Sequence, residues 1–232
     1  MNKINYFALI PTKSNELKQI TKDLLSYLAS IGVEVILLPN KKSIFSAYEQ
    51  GLNLIQEKNP QPNDVVILCH DDIEIINKPE HFKQQLNIIA HNTQIGFAGP
   101  AGTTLLGQDS VWWDHSRWQQ GHHSGFVFHG KKFDYHTTYY GEYRRVVVLD
   151  GLFLAAKYET LKKINISRPD TFEGLWDFYD LYYTMQAHKL GLHNKTLPFL
   201  IRHESMGELA GRDSWHKNRE AFIKMCQLPE KI

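Results

Sequence analysis

The sequence predicts an α/β fold: one domain, residues 1–232, with a mostly parallel central sheet flanked by helices. Three observations predict it. Short apolar runs closed by proline or a polar step alternate with stretches of helical periodicity over the first seventy residues. The chain has 232 residues, enough for one sizeable core without crosslinks. Its composition, 42% hydrophobic and 22% charged, is that of an ordinary globular protein.

The elements follow in order. Tyr6 to Ile10 is a continuous apolar run ended by Pro11, as suits a strand buried on both faces. Between Glu16 and Ile31, residues Leu17, Ile20, Leu24, Tyr27, Leu28 and Ile31 recur at three- and four-residue spacing, so a helix is expected, stopped by Gly32. Val33 to Leu38 is a second strand, and Ile44 to Gln56 a second helix with Ala47, Tyr48, Gly51, Leu52 and Ile55 inward. Val65 to Cys69 is a third strand. Strand, helix, strand, helix, strand implies a right-handed βαβαβ unit, and ligands of such sheets bind beyond the carboxyl ends of the strands. Residues 1–98 thus form one half, and 99–232 a second half of different character. From Gly99 to Gly141 the chain is rich in Gly, His, Trp and Tyr, which predicts loops and short strands lining a cleft or packing as a small aromatic core. Val146 to Leu149 reads as a strand followed by Asp150-Gly151, Phe178 to Leu190 as a helix, Leu197 to Ile201 as a short strand, and Ser214 to Cys226 as a closing helix.

Charge and cysteine usage exclude several classes. The net charge is +1 with histidines neutral, which gives no electrostatic basis for binding nucleic acid. The two cysteines, Cys69 and Cys226, read as small buried hydrophobes and fit a reducing cytoplasm. No window approaches the roughly 18 apolar residues of a membrane span, so any membrane contact is expected to be peripheral, at its inner face.

Three polar groups stand where chemistry is expected. His70-Asp71-Asp72 directly follows the third strand, with Glu74 close behind. Crowded acids repel unless a cation compensates, and oxygen-rich sites suit Mg²⁺ or Mn²⁺; an Asp pair capping a junction is the plain alternative. Asp177 and Asp180 are three apart, on one face if both are helical, and either is a candidate general base; acids favoured by the helix dipole are the alternative. His203 ends the strand before a glycine-bearing segment, 204–213, which is expected either as a lid or as a connector. The remaining histidines, among them His122, His123, His129 and His136, match no zinc spacing. No glycine-rich phosphate loop opens the chain, which counts against a nucleotidyltransferase.

In this order the three groups resemble those of family 2 glycosyltransferases. The likeness is narrower to the branch typified by the streptomycin-biosynthesis glycosyltransferase-like protein, and it covers Phe7 to about Gly211. The resemblance implies a GT-A fold, a nucleotide-sugar donor, a glycan or glycolipid acceptor and a divalent cofactor, Mn²⁺ or Mg²⁺. It makes Asp72 and His203 the metal ligands and Asp180 the catalytic base. It sets Asn40 toward the nucleotide, leaves Asp71 to the ribose of the nucleotide or to the metal, and puts Asp150, Trp176 and Asp177 beside the sugar or acceptor. His70 replaces the family's first aspartate, Tyr179 replaces the first acid of its later pair, and Asn40 stands where an aspartate is usual. The same resemblance leaves open an inactive relative that binds nucleotide sugar or acts as a partner subunit.

Overall fold

The computed structural model describes residues 3–205 and 212–232. In chain order its elements are β1 (Tyr6–Thr12), α1 (Gln19–Ser30), β2 (Val33–Pro39), α2 (Ile44–Gln56), β3 (Val65–Cys69), β4 (Ile73–Ile75), α3 (Pro79–His91), β5 (Ile95–Gly99), β6 (Ala101–Thr103), β7 (Leu105–Leu106) and α4 (His115–Gln119). They continue with β8 (His123–Lys131), β9 (Asp134–Gly141), β10 (Arg145–Val146), β11 (Val148–Leu149), β12 (Phe153–Lys157), α5 (Tyr158–Lys163), α6 (Tyr179–Lys189), β13 (His193–Thr196), β14 (Ile201–His203), α7 (Asp213–Cys226) and β15 (Glu230–Lys231).

The expected βαβαβ unit is present. β1 pairs in parallel with both β2 and β3, and Tyr6 to Ile10 is buried throughout. The main sheet has seven strands in the order β10-β13-β5-β12-β3-β1-β2. β12 runs antiparallel to its neighbours β3 and β5, and β10 antiparallel to β13, so the sheet is mostly parallel with two reversed strands. Helix α2 starts on a reciprocal cap, Ser43 Oγ accepting from the Ser46 amide and Ser46 Oγ from the Ser43 amide. Gly51 lets α2 settle on β1, because a Cβ there would stand 2.7 Å from both methyl carbons of Leu9.

A second, six-stranded sheet runs β11-β6-β8-β14-β4, with β9 on β8. The chain passes between the sheets several times, among them at three short crossovers. Residues 70–72 lead from β3 to β4, Pro100 from β5 to β6, and residues 150–152 from β11 back to β12. The first and last crossovers touch, the His70 amide donating to the Leu152 carbonyl at 3.1 Å.

Several expectations are corrected. Val146 to Leu149 is not one strand: β10 and β11 belong to different sheets, split at Val147, whose amide bonds the Thr103 carbonyl. The strand expected at Leu197 to Ile201 begins only at Ile201, because Pro198 offers no amide to a ladder. Asn77 secures that stretch instead, donating to the Pro198 carbonyl and accepting from the Leu200 amide. The first helix begins at Gln19 rather than Glu16. Residues 99–141 hold short strands, the β8–β9 hairpin and a buried aromatic group in which Trp112 packs on Tyr140 and His123 with centroids 5.4 and 5.9 Å apart. Both cysteines are free and buried. The central residues of the expected lid, 206–211, lie outside the described residues.

Candidate metal and transfer site

The site forms where the two sheets exchange strands. His70 to Asp72 leave the carboxyl end of β3, and β14 pairs antiparallel with β4 so that His203 stands opposite Ile73. The Glu204 amide bonds the Asp72 carbonyl at 2.9 Å, closing that register. Three donor atoms then converge. His203 Nε2 lies 3.2 Å from Asp72 Oδ1 and 3.4 Å from His70 Nδ1, and His70 Nδ1 lies 3.8 Å from Asp72 Oδ1.

Among the described residues these three form the group able to hold a metal ion. The donor set fits one: ligands roughly 2.1 Å from a common ion are about 3 Å apart, close to the separations seen. Two imidazoles with a single carboxylate suit a first-row transition ion better than Mg²⁺, which prefers oxygen.

The electrostatics are those of a charged pair beside a neutral imidazole. Burial raises the Asp72 pKa, but the hydrogen bond and charge of His203, with His70 beyond, outweigh it and hold the carboxyl at about 2. Burial lowers the His203 pKa, yet the Asp72 contact, aided by Asp150, lifts it above its ordinary value. His70 is pushed down to about 4 by burial and by His203. Burial, then the charge of Asp72, raises Asp71, whose carbonyl accepts from Thr21 Oγ1 at 2.9 Å.

Asp180 opens α6 beside the last crossover, at Gly151. Its Oδ2 accepts from the Gly151 amide at 2.9 Å. Burial and the neighbouring Asp150 charge raise its carboxyl to about 7. Asp150, itself raised by burial, accepts from the Leu152 amide at 2.9 Å. The glycine of the Asp150-Gly151 step is required: a Cβ on Gly151 would overlap the Tyr179 hydroxyl and stand 2.8 Å from Asp180 Cβ.

The structure thus brings Asp72, His203, Asp150 and Asp180 into one electrostatic neighbourhood. Other expected residues stand apart from it. Asp177 does not share a helical face with Asp180, because Phe178 adopts φ 66° and α6 starts after it. The Phe178 ring, buried against Trp215 and Phe222, fixes that break. Asn218 of α7 bonds the carbonyls of Gly174 and Asp177, so this segment is fastened to α7. Trp176 is exposed. Asn40, exposed past the end of β2, bonds Asn15 Oδ1 at 3.3 Å. Glu74 leaves the acidic cluster altogether, pairing with buried Arg202 at 2.7 Å. The two residues missed as parts of the site are His70 and Tyr179, each standing where the broader family has an acid, although the narrower branch shares the histidine. The available signal was chemical: an imidazole ending a strand is as good a ligand as a carboxylate.

Fold and site together define a GT-A type α/β protein with a candidate metal site at a crossover. Residues 14–221 match the Glycosyltransferase like family, nearly the whole chain, and the protein belongs to that family. No curated protein matches it by sequence. Among solved structures it is similar to GalNAc-T7, crystallised with UDP, GalNAc and Mn²⁺, at 11% identity and TM-score 0.52, over 87% of this chain and 44% of that one. The chain therefore spans less than half of the GalNAc-T7 chain it matches. It is also similar to A197 from STIV, at 13% identity and TM-score 0.48 over 84% and 82% of the two chains. No helix of the described residues is long and apolar enough to cross a membrane.

Proposed function

We propose that this protein is a glycosyltransferase that moves a sugar from a nucleotide-sugar donor to an acceptor hydroxyl with inversion, using a divalent ion. The carrying observation is the convergence of His70, Asp72 and His203 donors beside Asp180, whose carboxyl is poised near neutral pH. His70, Asp72 and His203 would hold the ion, Mn²⁺ rather than Mg²⁺ by their chemistry. When bound, the ion neutralises charge on the diphosphate of the donor.

The chain's own residues do the rest. Asp180, as carboxylate, takes the proton of the acceptor hydroxyl. The acceptor oxygen forms a bond to the anomeric carbon from the face opposite the leaving group. The bond from that carbon to the diphosphate breaks, and the diphosphate keeps the electron pair. The Gly151 amide aims the Asp180 carboxylate, and Asp150 raises its basicity. Residues 1–98 hold the nucleotide, with Asp71 and Asn40 toward its nucleoside, and 99–232 the acceptor. Asp150 borders the reacting sugar, and exposed Trp176 offers it an aromatic face. Asp177 is a weaker candidate, being tied to α7. The acceptor is a glycan or glycolipid, met in the cytoplasm or at the inner membrane face.

Removing the base while keeping its shape tests this. Asp180→Asn should lower turnover about 10²–10⁴-fold with little change in donor affinity. Full turnover in that variant would remove Asp180 from the reaction.

A further inference from the structure

Tyr179 is a buried residue that the transfer reaction described above does not use. Its hydroxyl lies 2.7 Å from the Gly151 carbonyl oxygen and 2.9 Å from His70 Nε2. The side chain is 4% exposed, and its ring is packed among Phe45, Tyr48 and Tyr183. A tyrosine hydroxyl has one proton, and a carbonyl can only accept. The proton therefore points at Gly151; otherwise two oxygens 2.7 Å apart would face each other with no proton between them. Toward His70 the hydroxyl is left with a lone pair, so His70 Nε2 must carry the hydrogen. A neutral imidazole protonated at Nε2 presents a bare Nδ1, the atom that faces His203 Nε2 at 3.4 Å and Asp72 Oδ1 at 3.8 Å.

We infer that Tyr179 is a positioning residue that locks His70 in its Nε2–H tautomer and so makes Nδ1 a ready metal ligand. The inference rests on the metal-site reading above and extends it to a residue that touches neither metal nor substrate. Loss of an outer partner of this kind typically costs about 10–100-fold in metal affinity.

Gly151 is the pivot of the arrangement. Its carbonyl takes the Tyr179 proton and its amide holds Asp180, so one residue aligns the metal ligand and the base. Consecutive residues of α6 reach the same glycine because the helix begins directly over it, at Tyr179.

The test needs no nucleotide sugar. Nitrogen-15 histidine spectra of the metal-free wild type at pH 8, well above the value of about 4 to which His70 is pushed, read the tautomer of His70 directly, with His70→Gln giving the assignment. The expected result is a single Nε2–H form. In Tyr179→Phe the hydroxyl is lost while the ring is kept, and the signal should move toward a mixture of tautomers. Mn²⁺ affinity measured by calorimetry should then fall about 10–100-fold. An Nδ1–H form in the wild type overturns the inference, and that spectrum decides even if the variant fails to fold. An unchanged tautomer and unchanged Mn²⁺ affinity in a folded Tyr179→Phe overturn it equally. A locked tautomer with tight Mn²⁺ but no donor binding upholds it and counts only against the transfer reading.

Discussion

Asp180 keeps its proton up to about pH 7, because burial and the Asp150 charge both oppose ionisation. A base must be deprotonated, so turnover should rise with pH through a limb near 7, and Asp180→Asn should abolish that limb along with most of the rate. A limb near pH 4 in the wild type would mean that the carboxyl is not raised. The same shift has a stability sign. The folded state retains a proton that the unfolded chain gives up near pH 3.9, so the stabilisation is fully present below that pH and is lost as pH rises through about 7. At pH 8 the wild type holds an ionised, partly buried carboxylate beside Asp150, and Asp180→Asn does not. The variant should therefore melt about 2 °C or more above wild type at pH 8, with the gap closing by pH 5. Scanning calorimetry at the two pH values checks this, and equal melting temperatures at pH 8 would count against the strained carboxylate. The roles of Asp72, Asp180 and His203 were expected from the resemblance, at element ends that the sequence made legible. His70 and Tyr179 were not, since their roles arise from a contact between residues 109 positions apart.

At the level of elements, β14 is the piece on which the candidate metal site depends, and Arg202 holds it. Arg202 Nε bonds Glu74 on β4 at 2.7 Å, and its Nη1 bonds the Gly130 carbonyl at the end of β8 at 2.7 Å, so one buried side chain ties β14 to both neighbours. Arg202→Ala should cost about 2–3 kcal/mol, at or below the range for breaking a buried pair because Glu74 is one-third exposed. It should also weaken Mn²⁺ binding, since His203 follows directly. Denaturant unfolding and metal calorimetry measure the two effects, and a loss under 0.5 kcal/mol, about the scale of an exposed pair, would show that Arg202 is not a tie. The elements that failed in the sequence reading share a cause. Asp177 and Asp180 looked helical together because three-residue spacing is all that periodicity sees. The break at Phe178 comes from its ring packing on α7, some forty residues away. Glu74 looked like a fourth acid of the cluster until strand pairing turned it to Arg202.

Over the whole molecule, the candidate site is placed by the exchange of strands between two sheets rather than by one sheet edge. The parallel unit β1-α1-β2-α2-β3 was readable because β1 and β3 are runs buried on both faces, β2 is an apolar run at the sheet edge, and each is closed by a local stop signal. The second sheet was not, because its strands are two to nine residues long and pair across distant positions such as Gly102 with Leu149. Alternating burial is weak in such pieces. Within residues 73–98, by contrast, Phe82, Leu86 and Ile89 recur at helical spacing behind Pro79, the signal of α3. What did transfer is the rule that sites gather past the carboxyl ends of strands. Here that region is where two crossovers touch at His70 and Leu152, and where α6 brings its first turn.

The most direct measurement is a thermal-shift panel of UDP-, GDP-, dTDP- and CMP-sugars with and without Mn²⁺, on wild type and on Asp72→Ala. At 100 times its dissociation constant a ligand adds about 2.7 kcal/mol, enough to shift melting clearly. One nucleotide class should stabilise the wild type only with Mn²⁺, Mg²⁺ should replace it poorly, and Asp72→Ala should lose the shift. No stabilisation by any donor, or a shift of equal size in Asp72→Ala, would contradict a metal-held nucleotide-sugar site at this crossover.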